Sequence, residues 1–424
     1  MMKKHVALLL GIACILLASA ATLGQVEIDY WHFYGGAIGT NHEQAVAEFN
    51  ATHPDIQVTS QYIGNAWTGR DKLLTAVAAG TPPDICLVDD YWIPELAATG
   101  NILKLGDYIS ANTVLDVFDL FWQSAKYEGE IWAMPYAASN IVLYYNKDLF
   151  RAAGLDPEAP PTTWEELRDY AKALAKDLDG DGQIDQWGLI MPTTSSAGVI
   201  YDFLPYLWQN GGELFDESNT ECAFDSDQAA AALQFLQDLI YVDKVMPLAP
   251  PSQGFETGVA AMILTSSSKL QTYVPIVEFE LGVAVHVMND ELMKPVTVAG
   301  GKLFTVFNEE EVEAELVFIN WMTNAENNTA WSMATGYTPL SKSVVASDAF
   351  QAYLDANPNS KPAIDQIPYT RARPNIAAYG DISRVVGNAI EAALLGQQDP
   401  ATVLAYAIAE ANQVLADWVE RLQQ

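Results

Sequence analysis

The sequence predicts an α/β protein with more than one hydrophobic core. Three observations lead there. The region after an apolar leader reads β-α-β-α-β. A length of 424 residues exceeds what one core ordinarily organises. Strand and helix patterns then begin again at "IVLYYN" and end in a long helical tail.

The elements follow in order. "VEIDYWHF" alternates apolar and polar residues and predicts a strand. "TNHEQAVAEFNATHP" predicts a helix opened by a Thr40–Glu43 capping box and stopped before Pro54. "IQVTSQYI" predicts a strand and "GRDKLLTAVAAG" a helix ended by Gly80. "PDICLV" has the length and apolarity of a buried strand, and Asp89 and Asp90 follow it. This order implies a parallel sheet with ligand groups at the carboxyl ends of its strands.

A second region opens with "AMPYAASNIVLYYNKDLF". Its small or polar middle, Ala137 to Asn140, raises the question of a turn, but only Pro135 is near to punctuate one. "TTWEELRDYAKALAKDL" predicts a helix with a capping box from Thr163 to Glu166, and "SDQAAAALQFLQDLIYV" another. "AAMIL", "LGVAV" and "KLFTVF" read as strands, and the chain is largely helical from Asn308. No repeat or low-complexity linker appears, so two bodies would be joined by short strand-like crossings.

Composition narrows the partners. Half the residues are apolar, and acidic residues outnumber basic ones 54 to 21, for a formal charge of −33. That balance argues against nucleic acid and anionic membranes, and it repels anions at long range. "MMKKH", "VALLLGIACILL" and "ASA" ending at Ala20 have the order of an export signal, which puts the mature start near Ala21, with a charge of −35 once Lys3 and Lys4 are removed. The expected location is the periplasm or cell exterior. Gly11 stands where a lipoprotein signal wants Leu before Cys14, so a lipid anchor is disfavoured. Cys86 and Cys222 admit a disulfide, but a buried free cysteine at Cys86 is the stronger reading.

Catalytic signatures are scarce. The histidines past the leader, His32, His42, His53 and His286, form no HExxH motif. CxxC, a P-loop lysine and GxSxG are absent as well, so the chain reads as a non-enzyme. Neighbours on a strand point to opposite faces, so Asp89 and Asp90 are not expected to flank one bond. Aromatics recur beside glycines at expected strand ends: Trp31 and Tyr34, Trp67, Trp92 and Trp208. Such faces suit sugar rings, although each is equally at home in a core. In "DLDGDGQID", Asp177, Asp179, Asp181, Gln183 and Asp185 hold the first, third, fifth, seventh and ninth positions of a calcium loop. Gly188 replaces the bidentate Glu expected at the twelfth. No cofactor is required, and a structural calcium is the ion this loop would take; a solvated acidic turn is the alternative.

Several runs carry a family likeness: "IDYWHFYGG", "AVAEFNATHPDIQV", "GTPPDICLVDD", "VLYYNKDLFRAAGLDPEAPPTTWEEL", "DGDGQIDQWGL", "FINWMTNAENNTAW", "TGYTPLSKS" and "GDISRVVGNAIEAAL". Together they resemble the solute-binding proteins of ABC importers, sugar-binding cluster, with maltose-binding and glycerol-3-phosphate-binding members. The resemblance implies a type II periplasmic-binding-protein-like fold, two α/β lobes joined by hinge strands around a cleft. Lobe 1 would hold residues 21–137 and 300–340, and lobe 2 residues 138–299 and 341–424. The chain would cross at Ser139 and return near Val298–Gly301 and Thr338–Ser341.

By position the resemblance implies ligand contacts at Trp67, Asp90, Ser139, Tyr201, Ser266, Ser267, Gly300, Gly301, Tyr337 and Arg384, and the aromatic pattern at strand ends adds Tyr34. It implies a monomer that captures a neutral saccharide or polyol and delivers it to a permease. Glycerol-3-phosphate or a glycerophosphodiester is the runner-up, with Arg384 as the one clear cation. An exported carbohydrate-active enzyme is the alternative of another class, and a chemosensory presenter would share the fold.

Overall fold

The computed structural model describes residues 25–191, 198–293, 295–396 and 398–423. The export signal, Cys14 and the start at Ala21 lie outside them. Among the described residues no helix is long and apolar enough to cross a membrane.

Strands β1 (Val26–His32), β2 (Ile56–Tyr62) and β3 (Ile85–Asp89) run parallel with β1 between the other two. A small ribbon, β4 (Lys126–Tyr127) and β5 (Glu130–Ile131), precedes β6 (Met134–Asn146). Then come β7 (Met262–Ser266), β8 (Leu281–Ala284), β9 (Thr297–Val306) and β10 (Thr370–Arg371). The main order is β2-β1-β3-β9-β6-β7, with β8 beside β6 and β10 beside β9. The expected parallel sheet holds for β1 to β3; β9 is inserted antiparallel between β3 and β6.

The chain does not turn at Ala137–Asn140. β6 is one strand of 13 residues, buried along its whole length. Up to Asn140 it pairs with β9; from Ile141 onward it pairs with β7, and from Leu143 also with β8. It therefore leaves one sheet and enters another without a loop. Pro135, which lacks a ladder donor, sits at a register shift between Pro135 and Ala137. Two other segments meet β6 at the crossing. Gly300 lies opposite Ser139, and the Thr338 N–H and hydroxyl both donate to Ala138 O, at 2.8 and 2.9 Å.

Two helix starts differ from expectation. The first helix spans Gly36–Thr52, so Thr40 lies within it and no Thr40–Glu43 box forms. Its Thr40 hydroxyl donates to Gly36 O at 3.3 Å instead. Glycine makes the early start feasible: Gly36 takes φ +59°, and a Cβ on Gly39 would stand 2.7 Å from Tyr34 O. Glu43 is then free to pair with His32 Nε2 at 2.7 Å. The second helix, Ala66–Ala78, starts at an Asn65–Thr68 capping box, which puts Trp67 on a helix and not in a loop.

Helices Val199–Gln209, Asp227–Tyr241, Tyr379–Leu394 and Pro400–Leu422 pack on one another, and the first of them also on β9. Cys86 and Cys222 are both buried and free, so the disulfide alternative is set aside.

Candidate ligand-binding site

β3 ends at Asp89, and the chain tightens at once into a 3-10 turn, Asp90–Trp92. The strand alternation is lost at that step. Asp89 and Asp90 therefore do not point apart, as a continued strand would require; the Oδ1 atoms of both meet Nη2 of Arg373. Asp89 Oδ2 accepts from Lys302 Nζ at 2.7 Å. Asp90 Oδ2 accepts the Gly301 N–H at 3.0 Å and faces the Ser124 hydroxyl at 3.5 Å. All four charged side chains are largely buried.

Burial works against both carboxylates, with opposite outcomes. Arg373 and Lys302 overcome it at Asp89 and hold that group below the usual carboxylate range. At Asp90 burial, helped by the neighbouring Asp89 charge, outweighs Arg373 and pushes the group up.

Aromatic rings frame the cations. The Arg373 guanidinium lies 4.9 Å from the Tyr91 ring and 5.7 Å from the Tyr201 ring, and Lys302 Nζ lies 5.3 Å from the Phe33 ring. Two glycines let these groups approach. A Cβ on Gly301 would stand 3.1 Å from Asp90 Cβ; one on Gly300 would stand 3.2 Å from the Tyr201 hydroxyl and 3.5 Å from Ser139 Oγ. The Tyr201 and Tyr379 hydroxyls and Arg373 Nε are buried with no hydrogen-bond partner among the described residues. Unspent capacity of that kind suits a ligand rich in hydroxyls.

The structure thus gathers Asp90, Ser139, Tyr201, Gly300 and Gly301 at one place. Tyr337 flanks them, stacked at 6.1 Å on Trp331 and 5.8 Å from Tyr34. Trp67 joins through Tyr91, its ring 5.0 Å away. Ser267 Oγ accepts the Asn140 N–H at 3.4 Å behind the crossing, and Ser266 is spent on Ser268 at 2.9 Å. Arg384 is not brought in. Its half-exposed guanidinium pairs with Asp71 at 3.0 Å and lies 3.9 Å from Asp381 on its own helix. The cations at the site are Arg373 and Lys302, which the sequence reading missed. Two arginines spaced by one residue in "TRARP" were the available signal in a chain so poor in basic residues.

Arg384 belongs to a crossed pair of ion contacts. Helix Ala66–Ala78 supplies Arg70 and Asp71; helix Tyr379–Leu394 supplies Asp381 and Arg384. Arg70 Nη2 reaches Asp381 at 3.4 Å while Nε donates to Glu95 at 2.9 Å. A Cβ on Gly380 would stand 3.0 Å from Arg70 Nη2, so glycine lets the guanidinium lie against the helix start. These contacts tie helices on either side of the site together. Arg384→Ala is expected to weaken ligand affinity by no more than about fivefold, the effect of an exposed pair worth about 1 kcal/mol or less. Titration at low and high salt checks this: the difference from the parent protein should shrink as salt rises.

The acidic loop lies elsewhere. Carboxylate oxygens of Asp177, Asp179 and Asp185 come within 4.8 Å of one another, all exposed. Asp177 already accepts the N–H groups of Gly180 and Gly182, at 2.7 and 2.8 Å. Asp181 is bonded to the Gln183 amide at 3.0 Å. Asp181 therefore stands outside the converging three carboxylates.

Comparison with known proteins agrees with this architecture. The profile of the family described as "Bacterial extracellular solute-binding protein" matches residues 44–358. The sn-glycerol-3-phosphate-binding periplasmic protein UgpB of Escherichia coli K12 is 26% identical across 96% of both chains. A cyclic alpha-maltosyl-1,6-maltose binding protein from Arthrobacter globiformis is 30% identical, with a TM-score of 0.79 over 93% of this chain and 100% of that one. UgpB from Mycobacterium tuberculosis, in complex with glycerophosphocholine, is 23% identical with a TM-score of 0.81 over 93% and 100%, a likeness of fold.

Proposed function

The chain belongs to the bacterial extracellular solute-binding proteins, and from that premise we propose that it captures a neutral saccharide or polyol between its two sheet bodies and hands it to the membrane subunits of an ABC importer. The fold is that of a type II periplasmic binding protein. Its relatives are binding proteins, and the groups gathered here are positioned donors and acceptors. The observation that carries the reading is the buried group around Asp90. Two carboxylates, two cations, the Gly301 N–H and unspent tyrosine hydroxyls converge beside the β6 crossing. Three chain segments meet there, so small changes in their dihedrals would swing one body against the other. A ligand that bridges both bodies then holds the closed form, which the permease reads.

A second reading has its own support. Arg373 and Lys302 are two cations at one site, and the E. coli relative binds sn-glycerol-3-phosphate. Against it, both cations already face carboxylates, and the chain carries a formal charge of −33. Calorimetric titration with maltose, cyclic maltosyl-maltose, glycerol, glycerol-3-phosphate and glycerophosphocholine decides between them. Binding of a neutral sugar or polyol, with phosphate esters at least tenfold weaker, is the expected result. Release of new reducing ends from oligosaccharides during the same incubations would replace the transport reading with an enzymatic one.

A further inference from the structure

We propose that Asp89 sets the charge preference of the cleft, turning a two-cation site into one for uncharged polyhydroxy ligands. The proposal rests on the reading of this cleft as the ligand site. It concerns a residue beyond the ligand contacts assigned so far.

Asp89 occupies the last position of β3, buried among the charges it balances. Its two oxygens face different cations: Oδ2 takes Lys302 at 2.7 Å, and Oδ1 meets Arg373. Asp90 meets the same Arg373 nitrogen through its own Oδ1. Two carboxylates and two cations give the quartet a net charge of zero when all are ionised. With Asp90 alone the balance would be +1, which is the arrangement an anion requires.

A phosphate ester must do two things here. It must take Arg373 away from the carboxylates, and it must then sit within a few ångströms of both. Repulsion at that range, in a partly desolvated site, outweighs what one guanidinium returns. A hydroxyl faces no such opposition. It donates to Asp90 and accepts from Arg373 Nε, which has no partner of its own among the described residues. The rings of Tyr91 and Tyr201, 4.9 and 5.7 Å from the guanidinium, hinder Arg373 from swinging out to meet an anion at the surface.

The test is a titration with glycerol-3-phosphate, which requires no knowledge of the natural ligand. Asp89→Asn keeps the shape and removes one negative charge. It is expected to bind glycerol-3-phosphate at least tenfold more tightly than the parent protein. The double variant Asp89→Asn/Lys302→Gln returns the balance to zero and should lose that gain. Asp89→Ser, with room for a water beside Lys302, replaces Asp89→Asn should the latter melt without a cooperative transition. A folded variant with unchanged glycerol-3-phosphate affinity overturns the role of Asp89 and leaves the transport reading standing. A gain that survives in the double variant overturns it too, since charge balance would not be its cause. A parent protein that binds glycerol-3-phosphate more tightly than every neutral probe overturns both this proposal and the neutral-ligand reading.

Discussion

Arg373→Ala is expected to lower ligand affinity by about a hundredfold or more and to make folding stability strongly dependent on pH. The first effect follows from losing a buried, charge-assisted donor at the centre of the site. The second follows from what remains. Asp89 keeps Lys302, but its Oδ1 and that of Asp90, both buried, lose their cation. Breaking a buried pair on one side typically costs about 3–5 kcal/mol. Asp90 has a way out, because burial and Asp89 already push it up. Without Arg373 it rises further, so the folded variant binds a proton that the unfolded chain has released. A raised carboxyl makes stability greatest at acidic pH and takes it away as pH climbs through the folded-state value. Thermal melts should therefore show the variant below the parent throughout, with a gap that is smallest near pH 5 and widens toward pH 8. Parallel curves over that range, or sugar binding unchanged in the variant, would contradict this account.

The sequence made the first sheet readable because β1, β2 and β3 carry strong alternation or an unbroken apolar run, and glycines and capping residues punctuate the helices between them. Asp90 was findable at the end of one of these strands, whereas Ser139, Gly300 and Gly301 were legible only through the family resemblance, by position. Helix starts were harder. Gly36 and Gly39 look like a loop, yet the helix starts at Gly36, whose positive φ glycine adopts freely, and runs through Gly39, where packing on Tyr34 leaves no room for a Cβ. Arg373 was out of reach for a different reason. It sits in a short irregular stretch before Pro374, with no period to read, and its partner Asp90 is 283 positions away. Local pattern records which face a residue prefers; it does not record which distant charge will meet it. Arg384, by contrast, attracted notice through a recognisable helix and was placed by the fold on that helix's exposed side.

The same limit applies to Glu315. Its run "EEEVEAELVF" looks like a solvated, acidic helix start, and the residue is in fact wholly buried. Both carboxylate oxygens lack a partner among the described residues. Burial is the main reason that its pKa climbs, and the charges of Asp84 and Glu311 add to it, up to about 8. The unfolded chain would ionise near 4.5, so between the two values folding must carry a proton that water would otherwise take. Stability contributed by a raised carboxyl is intact below 4.5 and is lost as pH rises to 8. Glu315→Met, similar in length and without charge, removes that penalty. It should stabilise the protein by about 2 kcal/mol at pH 7, a discounted share of the linkage value. In Tm that is about 2–3 °C for a chain of this size. The gain should be near zero at pH 4.5 and largest above pH 8. Asp84 keeps its bonds to the Asp29 N–H at 2.8 Å and to Asn308 at 2.7 Å, so the change stays local. Melting curves at pH 4.5, 7 and 8.5 check it. A gain that does not grow with pH would mean that Glu315 finds a partner or a water in the folded state, and a loss at pH 8.5 would mean that its carboxylate holds something the helix needs.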